Sequence, residues 1–95
     1  MMMVYYVYLI LSKKLNKYIS YVGYTNNIKK RITLHNNSQG AKFTKGKRWK
    51  LIYFEKYYNK SSAMKEEYKL KKNYKLRKQI ITKYLKNENF NSPTL

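Results

Sequence analysis

Residues 18–25 read "YISYVGYT", and residues 26–37 continue "NNIKKRITLHNN". The first eight place three tyrosines and the chain's first glycine in an alternating, β-forming run. Glycine weakens a strand interior, so Gly23 marks a bulge or a point where another group comes close to the backbone. The run ends in "TNN", whose short polar side chains are suited to capping the helix that follows. On that helix Ile28 and Ile32 form an inward stripe. Arg31 and His35, four residues apart, share an adjoining face.

Upstream, "VYYVYLIL" (4–11) is apolar on both faces and rich in β-branched and aromatic residues, the pattern of a central, covered strand. The polar "SKKLNK" (12–17) turns it into a hairpin with 18–25. Downstream, "GAKFTKGKRW" (40–49) is a basic loop with two glycines and an embedded Phe43, and "KLIYFEKYY" (50–58) is a third strand. Ser61 or Ser62 is the expected cap of a helix through "AMKEEYKLKKNY" (63–74). "LRKQIITKYLK" (76–86) carries Leu76, Ile80, Ile81, Tyr84 and Leu85 at helical spacing. The order β-β-α-β-α-α predicts an α+β domain over residues 1–86 with a small three-stranded antiparallel sheet. Residues 87–95, "NENFNSPTL", are expected to form a disordered tail.

Charge narrows the function. Twenty-two Lys and Arg oppose four Glu and no Asp across 95 residues, a formal +18. An A/T-rich genome explains Lys in place of Arg, but it also enriches Glu and leaves this imbalance unexplained. A polyanionic partner is expected, and nucleic acid is the commonest. The opening run "MMMVYYVYLIL" is too short to cross a bilayer, and no helix pairs a basic face with a Trp- or Phe-rich one, so no membrane partner is expected. The absence of cysteine suits a reducing, cytoplasmic compartment.

The same composition removes most hydrolytic designs. One histidine and no cysteine exclude a multi-histidine or thiolate zinc site. Four carboxylates are too few for the usual two-metal nuclease centre, and without Asp there is no Ser–His–Asp triad. What remains is tyrosine hydroxyls, Arg31, His35 and one inward carboxylate. On the second helix Ala63, Leu70 and Tyr74 fall on one side with Glu67 among them, whereas Glu66 falls beside Ser62, Lys69 and Asn73. A carboxylate turned inward needs a cation: Lys, Arg or a metal. A single divalent ion on Glu67, Arg31 against developing phosphate charge, and a tyrosine whose pKa nearby cations depress would together suit phosphodiester cleavage.

In that order the motifs resemble the GIY-YIG nuclease family, and more closely its small stand-alone bacterial members, which look like the nuclease domain of the UvrC repair protein. "YVYLI" (6–10) stands for the first motif, with Tyr8 as its final tyrosine, and "YVG" (21–23) for the second. "GYTNNIKKRITLHN" carries Arg31 and His35 at the family spacing. "GAKFTKGKRWKLIY" matches the basic loop and third strand, and "SSAMKEEYKLKK" the helix whose metal-binding glutamate falls on Glu67. The resemblance implies a Mg²⁺-dependent (or Mn²⁺-dependent) endonuclease using one ion. Glu67 would bind the metal, Arg31 would stabilise the transition state, and Tyr8 and Tyr21 would position or deprotonate the attacking water. His35 belongs to the same set. Low sequence specificity and a role in DNA repair or processing are expected, with DNA favoured over RNA. Gly23 would leave room for nucleic acid, and Lys42, Lys45, Lys47 and Arg48 would contact phosphates. The chain departs from the family at Tyr6 and Val7 in the first motif, at Val22 in the second, and at Tyr24, where some members carry Lys. The reading from another class is a non-catalytic nucleic-acid-binding module that keeps the fold.

Overall fold

The computed structural model describes residues 3–91, the side chains of 89–91 excepted. Three strands, β1 (Tyr5–Lys14), β2 (Lys17–Thr25) and β3 (Lys50–Tyr57), and three helices, α1 (Ile28–Asn36), α2 (Lys60–Lys72) and α3 (Tyr74–Asn91), follow in the expected β-β-α-β-α-α order. A short 3₁₀ turn, Lys42–Thr44, interrupts the basic loop.

The sheet order is β2-β1-β3, all antiparallel. β1 is central because it is the strand apolar on both faces: Val7 to Ser12 are all buried. One face packs Val7, Leu9 and Val22 against Ala63 and Leu70 of α2, with Ile80 and Ile81 of α3 alongside. The other packs Tyr8 and Ile10 with Trp49, under Ile28 and Ile32 of α1. Alternation along one strand thus divides α1 from α2 and α3. The irregularity in the ladder lies between β1 and β3, at Leu9 and Ile10. At Gly23 pairing is regular, opposite Tyr8, so the glycine is not a bulge.

Asparagines set the helix boundaries. Asn27 caps α1, its side chain accepting from the Lys30 N–H at 3.1 Å. Asn59, rather than the serines expected, caps α2: its Oδ1 accepts from Ser62 N–H at 2.7 Å, and Ser61 and Ser62 fall inside the first turn. Asn73 ends α2 and opens α3, its Oδ1 accepting from Leu76 N–H at 3.0 Å. That break rotates Tyr74 off the inward face of α2, where periodicity had put it, and leaves it 65% exposed. Arg77 pins the junction by donating to the carbonyls of Leu70 and Lys71. α3 continues beyond Lys86, where sequence reading ended the domain, to Asn91. Residues 92–95 lie outside the described residues. No described helix is long and apolar enough to cross a membrane.

Candidate active site

Where β2 runs into α1, Tyr8, Tyr21, Gly23, Arg31 and Glu67 share one cleft of about 370 Å³. They arrive from four elements. Tyr8 comes from the centre of the sheet, Tyr21 and Gly23 from its β2 edge, Arg31 from α1 and Glu67 from α2. Thr25, buried at the end of β2, accepts from Asn27 N–H at 3.1 Å and so fixes the turn that brings Arg31 to the cleft. Lys60, at the start of α2, adds a second cation to the lining.

His35 does not line the cleft; it stands behind it. The ring is 1% exposed, with Nε2 at 2.8 Å from Tyr8 Oη and Nδ1 at 2.9 Å from Thr44 Oγ1. Thr44 has one hydroxyl proton and donates it to the Ala41 carbonyl at 2.8 Å. Its oxygen must therefore accept from His35 Nδ1–H, which leaves Nε2 bare to accept the Tyr8 proton. The chain of donors runs one way, Tyr8 to His35 to Thr44 to Ala41.

Two glycines make room for this chain. A Cβ on Gly23 would stand 2.4 Å from Tyr8 Oη, and one on Gly40 would stand 2.3 Å from His35 Nδ1. The group that approaches the backbone at Gly23 is thus the Tyr8 phenol. Trp49 closes the floor: it is 4% exposed, donates its indole N–H to the Thr44 carbonyl at 2.9 Å, and exchanges backbone hydrogen bonds with the Asn36 side chain.

The pKa values follow the burial. Burial in the sheet centre pushes the Tyr8 phenol up, and the neighbouring Tyr21 and Glu67 add to this while Arg31 pulls it down. Among the protein's own groups, desolvation of Tyr8 exceeds the pull of Arg31. Burial and then Arg31 hold His35 below its ordinary value, which keeps it neutral.

Among the described residues Glu67 is the sole carboxylate of the cleft. Its side chain is 18% exposed against 36% for Glu66, as the helical spacing implied. The cation it needs is supplied by Lys71, at 3.6 Å. Glu66 pairs instead with Lys69 at 3.3 Å. Tyr24 lines the cleft and packs against the apolar face of the sheet, while the Lys71 ammonium stands 5.9 Å from the centroid of the Tyr21 ring.

The basic loop is arranged differently from the site. Lys42, Lys45 and Arg48 are exposed, and none of the four loop cations lines the cleft. Lys47 folds back, its Nζ 3.1 Å from the Phe43 carbonyl. Arg48 lines a separate groove with Trp49, Tyr18 and Tyr84.

The GIY-YIG catalytic domain matches residues 4–87. The chain belongs to the GIY-YIG family. It is similar to a UPF0213 protein of Clostridium perfringens, 49% identical over 74 residues, 74% of this chain and 78% of that one. The UPF0213 protein YazA of Bacillus subtilis is 40% identical over 68 residues, 70% of this chain and 69% of that one. A UPF0213 protein of Oceanobacillus iheyensis is 46% identical over 52 residues, 54% of this chain and 60% of that one. No solved structure matches the chain significantly. Membership of the GIY-YIG family makes this the fold of a nuclease family, and nucleic acid its expected ligand. Sequence reasoning missed Thr44, Trp49 and Gly40, which support the cleft, and Lys60, which lines it. Their roles depend on contacts between distant segments, which no local motif announces.

Proposed function

We propose that the chain is a Mg²⁺-dependent endonuclease that hydrolyses phosphodiester bonds of DNA with low intrinsic sequence specificity, in DNA repair or processing. The observation that carries this is the convergence of Tyr8, Tyr21, Arg31 and Glu67 on one cleft, with the Tyr8 proton already committed to a neutral histidine.

The donor set fits one hard cation. Among the described residues no three His, Cys, Asp or Glu cluster, and Glu67 alone offers a carboxylate to the cleft. Mg²⁺ accepts such a site because it keeps several waters and takes its remaining ligands from substrate phosphate; Mn²⁺ suits the same oxygens. When bound, the ion supplies charge neutralisation at a phosphate oxygen and at the leaving group.

The chain's own residues do the rest. Arg31 and Lys60 bring positive charge to the phosphate, and Arg31 opposes the negative charge that builds there in the transition state. Tyr8 accepts a proton from the attacking water as it passes its own to His35 Nε2, so that no isolated phenolate has to form in the buried site. Thr44 holds the tautomer that makes this possible. Tyr21, beside Tyr8 on the same face of the sheet, orients the phosphate. The Lys71 ammonium already paired with Glu67 favours the alternative, a nucleic-acid-binding module without turnover.

Supercoiled and branched DNA incubated with Mg²⁺ or with EDTA, beside Glu67→Ala and Arg31→Ala, separates the two. Cleavage should need both Mg²⁺ and the two side chains. Nicking that survives EDTA or Glu67→Ala overturns the metal assignment, and binding with no cleavage of any substrate supports the module.

A further inference from the structure

Tyr21 has a second side. Its ring stacks on that of Phe43, 6.1 Å between centroids and 20° between planes. Phe43 sits in the 3₁₀ turn held down by the fully buried Thr44, and its ring also meets Trp49 at 6.4 Å. The ring is therefore firmly positioned, yet it is 52% exposed. Neither the fold nor the chemistry at Tyr8 uses the exposed part.

Beside it lies a cavity of about 260 Å³ between Ser20, Tyr21, Val22, Phe43, Lys71 and Arg77. Tyr21 lines both this cavity and the catalytic cleft, so the two adjoin at its ring. Among the described residues no carboxylate lines it, and Arg77 is held in place by the carbonyls of Leu70 and Lys71. β2 is an edge strand, so peptide groups on its outer side are open to a hydrogen-bonding ligand. Lys47 rests with Nζ 5.2 Å from the Phe43 centroid and 3.1 Å from its carbonyl, a further cation beside the ring. An aromatic platform, fixed cations and open backbone groups together make a seat for one nucleobase with its phosphate.

A base inside a continuous duplex has both faces covered and cannot reach such a platform unless it leaves the stack. We propose that Phe43 stacks an unpaired nucleobase of the strand being cut, next to the scissile phosphate, so that the site takes single-stranded or splayed DNA in preference to continuous duplex. This rests on the nuclease reading of the adjoining cleft.

The test is equilibrium binding in EDTA, by fluorescence anisotropy, of one labelled sequence as single strand and as duplex. Wild type, Phe43→Ala, Phe43→Leu and Phe43→Trp are compared, with thermal melting as the check on folding. Losing one base–aromatic stack should weaken single-strand binding about tenfold in the Ala and Leu variants, leave duplex binding within about twofold, and spare Phe43→Trp. Phe43→Leu keeps an apolar contact for Trp49, so it decides the matter if the Ala variant does not fold. Equal losses on both DNAs, or no loss on either, overturn the proposal. Cleavage of both DNAs in Mg²⁺ without this binding contrast sinks the inference alone. The contrast without any cleavage sinks only the nuclease reading.

Discussion

Tyr8 Oη and His35 Nε2 lie 2.8 Å apart, joining the centre of the sheet to the last turn of α1. Because Thr44 fixes the proton on Nδ1, the bond has a direction: Tyr8 donates and His35 accepts. His35→Phe keeps an aromatic ring there, slightly larger and without an acceptor, and leaves the Tyr8 proton and the Thr44 oxygen unpaired. A cost of about 1–3 kcal/mol is expected in denaturant unfolding for a buried polar group so orphaned. Cleavage should fall further than that stability loss explains.

The direction of the His35 shift sets a pH dependence. Its folded pKa lies below the 6.5 of the free side chain, so the unfolded chain binds the extra proton first. The contribution to stability is complete above about pH 6.5, diminishes as pH falls below it, and levels off beneath the folded-state value. Thermal melts from pH 8 downward should show this decline in the wild type and lack that component in His35→Gln. The acid limb of the cleavage profile should disappear with it.

Close approach at two glycines gives a contrast with the third. In Gly23→Ala and Gly40→Ala the new Cβ meets Tyr8 and His35 respectively, each 2% exposed or less and held by hydrogen bonds. Overpacking of about 1–3 kcal/mol is expected at each, with loss of cleavage. A Cβ on Gly46 meets nothing within 4 Å, but the residue has φ +72°. Gly46→Ala should cost about 1–2 kcal/mol for the left-handed backbone and leave cleavage per folded molecule unchanged. Unfolding and single-turnover assays on the three variants check this.

For Glu67→Ala the expectation is reversed. The pair it makes with Lys71 is partly exposed, and such pairs contribute about 0–1 kcal/mol. The variant should melt close to wild type while losing cleavage and the Mg²⁺ response.

A chain of formal charge +18 should also show counterion release. The logarithm of its DNA affinity should fall steeply and linearly with the logarithm of salt. A flat dependence contradicts nucleic acid as the ligand.

The architecture was legible because patterning and propensity agreed along most of the chain. Residues 4–11 are apolar on both faces and became the central strand; Ile28 and Ile32 marked the inner face of α1; Glu67 stood out by spacing alone. What escaped were contacts across the chain. The Tyr8–His35 bond spans 27 residues, and the burial of Thr44 depends on Trp49 closing over it. The Asn59 cap was missed because two serines stand just beyond it at 61 and 62, and the Asn73 break because Tyr74 continued the apolar period. Gly23 was read as space for a ligand, where the phenol of the strand beside it stands. Phe43 was visible in the loop, but its stacking on Tyr21 was not.

The central claim is that Tyr8 moves a proton in phosphodiester hydrolysis, and single-turnover cleavage by Tyr8→Phe at saturating Mg²⁺ tests it most directly. The variant should fold and bind DNA as wild type does while the rate falls about 10²–10⁴-fold, the usual contribution of a positioned acid or base. A rate within a few-fold of wild type, with the fold intact, would contradict it.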